Sequence, residues 1–311
     1  MRYPKEVIFC LLLFFGLVAT QRNHWRNTKI QWRIVDEQTG NTTILTPIAP
    51  GPERSCYTVK IGKLHFSSIP KNMSRMMKRI LCELTMRWKG LPFTKANDER
   101  LDSNDLKTNT TGLVNFCVTK KFFKNTSKRS QRRLSAHAKS TKFFIWRDPV
   151  DRFKSMYTHL CVDNNFCGVS GESISKFAKA NYDFFQNGID FPGITKDDSG
   201  TLKHHMKSHI WYCDLREDYK SYHLVKYSSD PRENIAQLEK LFVRSGFPRD
   251  LSKKVLSRMD RVAVRTGEKN EKLHEKWKQE ILDNPTTLSY VLASYYYDYQ
   301  LFGMEMPVVK E

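Results

Sequence analysis

Two short stretches hold the residue types that anion chemistry needs. Ser67 to Ser74 (SSIPKNMS) offers one ammonium, Lys71, among the hydroxyls of Ser67, Ser68 and Ser74. Arg147 to Ser155 (RDPVDRFKS) offers two guanidiniums, Arg147 and Arg152, and a hydroxyl at Ser155. A guanidinium forks onto phosphate oxygens in a way an ammonium cannot, and a hydroxyl on the next helical turn adds a donor. Each stretch also has a plainer reading. Lys71 fits a solvated loop lysine, and Arg147 fits a helix-end pair with Asp148 or Asp151. The first stretch lacks the G-x-x-x-x-G-K-[ST] of a nucleotide triphosphatase. Further on, His204, His205 and His209 cluster ahead of Cys213. Imidazole suits general-base work near neutral pH. His205, His209 and Cys213 also recur every four residues, which on a helix would set three zinc ligands on one face. Glu83 is a weaker base candidate, because a glutamate on a helix surface is usually just solvated.

Loops of this kind hold anions best where a parallel strand ends and a helix begins, since N–H groups and the positive helix end converge there. The chain supplies that frame twice. Tyr57 to Phe66 (YTVKIGKLHF) is β-rich and is followed by a polar turn. Met73, Met76, Met77, Ile80, Leu81 and Leu84 then recur at threes and fours, which predicts a helix over 73–88. Lys142 to Trp146 (KFFIW) reads as a buried parallel strand, and Pro149 opens a helix to about Leu160. A third strand, Tyr222 to Tyr227, precedes Ser229-Asp230-Pro231, a cap for a helix over 232–245. From Asp250 to Phe302 the periodicity is helical, with breaks at Gly267 and Asn284-Pro285. The expected fold is α/β: a short parallel sheet flanked by helices, with a helical C-terminal part. Residues 92–112 read as an insertion. The cluster Tyr290, Tyr295, Tyr296, Tyr297 and Tyr299 tempts a sugar-stacking reading but has the spacing of core.

The chain has 311 residues, 40% of them hydrophobic and 12% aromatic, so a real core forms and global disorder is excluded. Lys and Arg outnumber Asp and Glu by 52 to 33, a net charge of +19 that attracts polyanions. Residues 1–6 are a basic flank to an uncharged apolar segment, Val7 to Thr20, read as a signal peptide or a signal-anchor. Either one sends the rest into the secretory lumen and argues against nucleic acid as partner. Residues 21–55 read as a stem or linker, with Pro47, Pro50, Gly51 and Pro52 near its end, and 56–311 as the lumenal domain. Six cysteines follow Cys10: Cys56, Cys82, Cys117, Cys161, Cys167 and Cys213. In an oxidising lumen they read as a disulfide set, with Cys161 and Cys167 close enough for a local loop closure. N-x-S/T sequons stand at Asn41, Asn72, Asn109 and Asn125. The basic run Lys120 to Arg133 (KKFFKNTSKRSQRR) is either a solvated loop or a track for an anionic chain.

S-I-P-K-N-M-S after one strand and F-I-W-R-D-P-V-D-R-F-K-S-M-Y around another resemble the Golgi carbohydrate sulfotransferases, and more closely the chondroitin 4-sulfotransferase branch and its nematode relatives. His205 to Cys213 is similar to that family's His, Trp, Cys spacing, although the Phe-Pro-Gln after the His is missing. Tyr297 to Gly303 resembles its C-terminal end. The resemblance spans about Cys56 to Gly303 and implies a P-loop-like sulfotransferase fold. It also implies PAPS (3′-phosphoadenosine-5′-phosphosulfate) as co-substrate and no metal. Lys71, Asn72 and Ser74 would hold the 5′-phosphosulfate, and Arg147 and Ser155 the 3′-phosphate. His205 would serve as base, and Asn72, as part of that loop, should stay unglycosylated. The implied acceptor is an acidic glycan, a chondroitin-type glycosaminoglycan sulfated at GalNAc 4-O. The implied place is the Golgi membrane as a single-pass type II protein, with a secreted form as alternative. Two other functions compete. One is a catalytically inactive glycosaminoglycan-binding protein of the same fold. The other is a glycosyltransferase, which usually needs a D-x-D that this chain lacks.

Overall fold

The computed structural model describes residues 30–35, 39–51, 57–94, 124–125, 140–213 and 215–309, with side chains at 124–125 and 261–271 left aside. The apolar segment Val7–Thr20, Cys56, Cys117, Asn109 and all of the basic run except 124–125 lie outside the described residues.

The central sheet has the order β5-β3-β4-β6-β7. Its strands are β3 (Tyr57–Ile61), β4 (Leu64–Ser68), β5 (Lys124–Asn125), β6 (Thr141–Trp146) and β7 (His223–Lys226). The three that matter for the site, β4, β6 and β7, run parallel. Phe66, Phe143, Phe144 and Ile145 are buried, as strands covered on both faces should be. The stretch 57–66, expected as one strand, is instead a hairpin: β3 and β4 pair antiparallel across Gly62-Lys63. Gly62 sits at φ +55, which glycine adopts without strain, and this reverses the chain. The sheet is therefore mixed, with β5 also antiparallel.

Helix α1 (Ser74–Trp88) follows β4, and α2 (Pro149–Tyr157) follows β6. Asp148 caps α2 by accepting from Asp151 N, with Pro149 in the first turn. A π-turn, Thr158–Asp163, continues α2 where a regular helix to Leu160 was expected. Then come α3 (Ile174–Gln186) and α4 (Lys196–Met206), and after β7 α5 (Pro231–Arg244) and α6 (Arg249–Leu256). Helix α7 (Arg258–Asp283) runs unbroken through Gly267, contrary to the expected break, whereas Asn284 does end it and caps α8 (Pro285–Phe302). One core lies between α1, the sheet, α5 and α6, and a second between α2, α3 and α8. All five tyrosines of the C-terminal cluster are buried in that second core, so they do not form a sugar platform.

Part of the expected linker is packed. Strands β1 (Trp32–Val35) and β2 (Thr42–Leu45) form a hairpin that buries Ile34, Leu45 and Ile48 against the second core. Ile48 N donates to the Ala293 carbonyl at 3.0 Å, and Tyr182 Oη donates to the Thr46 carbonyl at 3.1 Å. The prolines that suggested a linker come after this hairpin. Asn41 is exposed at its turn.

Candidate active site

The loop from Ile69 to Met73 joins β4 to α1 in an unusual backbone. Lys71 and Met73 lie at φ +66 and +56, a left-handed conformation that costs a non-glycine residue about 1–3 kcal/mol and clusters at functional sites. Met73 is the N-cap of α1 and supplies no side-chain cap, so a side chain does not satisfy the first helical N–H groups. Those groups and the positive helix end favour an anion.

The loop is braced from below. Asn72 is buried and its Nδ2 donates to the Ile145 carbonyl at 2.8 Å, which ties β6 to the loop. That nitrogen is the atom a glycan would occupy, so the Asn72 sequon is incompatible with this fold. The amide nitrogen of this side chain, which was expected to meet the ligand, is thus turned inward, and its Oδ1 is buried with no partner among the described residues. Arg152 is wholly buried: Nε donates to the Pro70 carbonyl at 3.2 Å and Nη2 to the His205 carbonyl at 2.9 Å. One guanidinium therefore locks the lysine loop to the end of α4. Its Nη1 is buried with no partner among the described residues.

Arg147 does not take the plain helix-end role. Asp148 is committed to capping, and Asp151 pairs with Lys154 at 2.9 Å and Lys278 at 3.4 Å. Arg147 instead donates through Nη1 to the Lys71 carbonyl at 3.3 Å and lies 4.3 Å over the Tyr227 ring. Its Nε is also buried without a partner among the described residues. Ser155 is half-buried on α2, two turns from Arg147.

Burial, and then the charges of Arg147 and Arg75, push the Lys71 ammonium down to about 8. Such a site gains by taking up an anion, which compensates the burial and the repulsion. Anion binding should therefore raise the Lys71 pKa and take up a proton near pH 8. Affinity for a bound phosphate should fall as pH rises above 8, and calorimetry in buffers of different ionisation enthalpy reads both effects.

Histidines line the other side. His205 Nδ1 lies 2.9 Å from the Thr201 carbonyl, an acceptor, so Nδ1 carries the proton and Nε2 keeps a lone pair. Burial, with smaller effects from Lys71 and Arg152, lowers its pKa and keeps the ring neutral. His209 stands apart from this work. It lies in a 3-10 turn past the end of α4, buried, with Nδ1 donating to Asp298 at 2.7 Å. Cys213 is disulfide-bonded. The helical triad of His205, His209 and Cys213 consequently does not form. Glu83 is neither solvated nor a base candidate any longer: it is buried in an ion pair with Arg258 and Arg87. The Cys161–Cys167 bond closes its local loop as expected, and Cys82 is disulfide-bonded too.

The structure brings Lys71, Arg147, Arg152 and His205 together through direct bonds to shared backbone. Sequence reasoning underrated Arg152 and missed His159, whose ring centroid lies 5.8 Å from that of His205. A signal for both existed: Arg152, Ser155 and His159 are spaced at three and four, one stripe of a helix.

Two loops that carry cationic side chains thus stand at the ends of adjacent parallel strands, with a neutral imidazole beside them, in an α/β architecture. The profile of the Sulfotransferase family matches residues 58–305, and the chain belongs to that family. Among curated proteins it is 27% identical over 192 residues to the sulfotransferase-like protein vep-2 of Caenorhabditis elegans, covering 58% of this chain and 55% of that one. It is 23% identical over 252 residues to the carbohydrate sulfotransferase chst-1 of the same organism, covering 76% of this chain and 71% of that one. A third C. elegans protein, C18B2.2, whose name states no function, is 23% identical over 52% of this chain and 47% of its own. The chain thus spans about half the length of two of these relatives. No solved structure matches it significantly.

Proposed function

We propose that this chain transfers a sulfuryl group from PAPS to a glycan hydroxyl by in-line displacement. The supporting observation is a pair of guanidiniums, Arg152 wholly buried and Arg147 half-buried, each with one nitrogen unpaired among the described residues and each fastened to a strained lysine loop whose ammonium is depressed to about 8. Unspent buried donors of positive charge fit a ligand with two phosphate ends. Membership of the sulfotransferase family implies the same co-substrate.

In this reading Lys71, Ser74 and the N–H groups at the start of α1 hold the 5′-phosphosulfate, and Arg147 and Ser155 hold the 3′-phosphate. Asn72 and Arg152 fix the loop from beneath. Sulfuryl transfer, like phosphoryl transfer, depends mainly on positioning and on neutralising the leaving group. The acceptor hydroxyl gives its proton to His205 Nε2 while Lys71 meets the charge growing on the leaving phosphate. The scheme takes no metal. Arg147→Ala should weaken binding of adenosine 3′,5′-bisphosphate about 10- to 100-fold, the cost of one charge-assisted pair, with the fold intact by circular dichroism.

For the acceptor we take a chondroitin- or dermatan-type chain, sulfated at GalNAc 4-O. The positive net charge suits such a polyanion, and the likeness to a carbohydrate sulfotransferase supports a sugar. The Golgi membrane, with Val7–Thr20 as anchor and a secreted form as alternative, fits the buried disulfides, which belong in an oxidising compartment. Labelled PAPS offered with a panel of desulfated glycans tests the proposal. Label on chondroitin supports it in full, and label on another glycan corrects the acceptor. Binding of the bisphosphate with no label on any glycan points to the inactive binding protein.

A further inference from the structure

His159 belongs to the face that carries Lys71 and His205, yet the scheme above does not use it. It lies in the π-turn that continues α2, four residues after Ser155 and seven after Arg152. Turns of this kind gather at functional sites, because they re-aim a side chain within a helix. Burial, then the charges of Lys71 and Arg75, keep the ring neutral.

Its hydrogen bonds fix the tautomer. Asn164 Nδ2 lies 2.5 Å from the His159 carbonyl oxygen. That oxygen only accepts, so the amide nitrogen, and not Oδ1, must face it. The same nitrogen lies 3.2 Å from His159 Nδ1, which therefore accepts. The one ring proton is left on Nε2. His205 is the opposite case, with its proton on Nδ1 facing Thr201 and a lone pair on Nε2. Two neutral imidazoles thus stand side by side, ring centroids 5.8 Å apart, one presenting an acceptor and the other a donor.

We propose that His159 is a further catalytic residue, whose Nε2–H donates to an oxygen of the sulfuryl group in transit while His205 takes the acceptor's proton. The proposal rests on the sulfuryl-transfer reading. The acceptor oxygen forms a bond to sulfur, and the bond from sulfur to the leaving phosphate oxygen breaks, its electron pair staying on that oxygen. The hydroxyl proton passes to His205 Nε2, and His159 keeps its own proton throughout. A preorganised N–H aimed at a redistributing charge is commonly worth about 10²–10³ in rate.

Nitrogen-15 spectra of the histidine rings in the full chain, with adenosine 3′,5′-bisphosphate bound, test the tautomers without any turnover. The expected result is a proton on Nε2 of His159 and on Nδ1 of His205. His159→Phe should then lower kcat about 10²-fold with bisphosphate affinity unchanged. His159→Gln, which carries an amide N–H out to roughly the Nε2 position, should recover most of that loss. A proton found on His159 Nδ1 overturns the proposal whatever the enzyme's activity. So does a His159→Phe variant that transfers sulfuryl as fast as wild type. Absence of transfer by wild type to every glycan is a different result: it overturns the parent reading and this proposal with it.

Discussion

Lys71→Gly should remove sulfuryl transfer while leaving the protein as stable as before, or more stable. Loss of a group that meets developing charge costs about 10²–10³ in rate. Arg147 is held by the Lys71 carbonyl and the Tyr227 ring, and Arg152 by Pro70 and His205, so neither is placed to take over from the ammonium. Stability should move the other way. Lys71 sits at φ +66, where glycine is unstrained and a side chain costs about 1–2 kcal/mol. Against that, glycine adds about 0.5–1 kcal/mol of unfolded-state entropy. Burial of the ammonium is also relieved. The two backbone effects alone leave a net gain of about 0–1.5 kcal/mol. Turnover assays and thermal melts on the same variant separate the two effects. A purely structural lysine would give the reverse pattern, with a lower melting temperature and transfer largely kept.

Asp298→Ala should be the most damaging substitution to the fold. The carboxylate is wholly buried in α8 and accepts four bonds: His209 N at 3.0 Å, Ile210 N at 3.2 Å, His209 Nδ1 at 2.7 Å, and the Ser208 hydroxyl. These donors, together with the positive charge of Arg152, hold the acid ionised despite its burial. His209 itself stays neutral, because burial outweighs the attraction of the carboxylate. Alanine would strand two backbone N–H groups, a hydroxyl and an imidazole N–H in a dry interior. A buried donor left unsatisfied costs about 1–3 kcal/mol, so after partial relaxation the four together should cost about 3–5 kcal/mol. At about 2–4 °C per kcal/mol for a domain of this size, melting should fall by roughly 6–20 °C. Because Ser208 and His209 lie just past the end of α4, the segment that follows His205 would loosen, and transfer should suffer in whatever fraction still folds.

The elements that carry the two anion loops were legible because their signals are local. A continuous apolar run, KFFIW, followed by Asp148 and Pro149 announces strand, cap and helix within nine residues. The same holds for the helix that begins at Ser74. The hairpin within 57–66 escaped because β-rich residues stand on both sides of Gly62, so that a single glycine marked the reversal. The packed β1–β2 hairpin escaped because its three buried residues find their partners in α3 and α8, far along the chain. Glu83 looked solvated for a similar reason. Its partner, Arg258, lies 175 residues away, and no local pattern reports such a pair. Within the site, Lys71, Arg147 and His205 were legible by type and spacing. The bracing roles of Asn72 and Arg152 were not, because both bond to backbone carbonyls, and a carbonyl leaves no trace in sequence.

The central claim is a site with two separate phosphate positions, and titration calorimetry of the wild-type protein reaches it without knowledge of the acceptor. Adenosine 3′,5′-bisphosphate is compared with adenosine 5′-monophosphate at pH 7 and physiological salt. The account predicts binding of the bisphosphate about 10- to 100-fold tighter, the value of the charge-assisted contacts to one further phosphate. That preference should vanish in Arg147→Ala. Equal affinity of wild type for the two nucleotides would contradict the account, because Arg147 and Ser155 would then hold nothing.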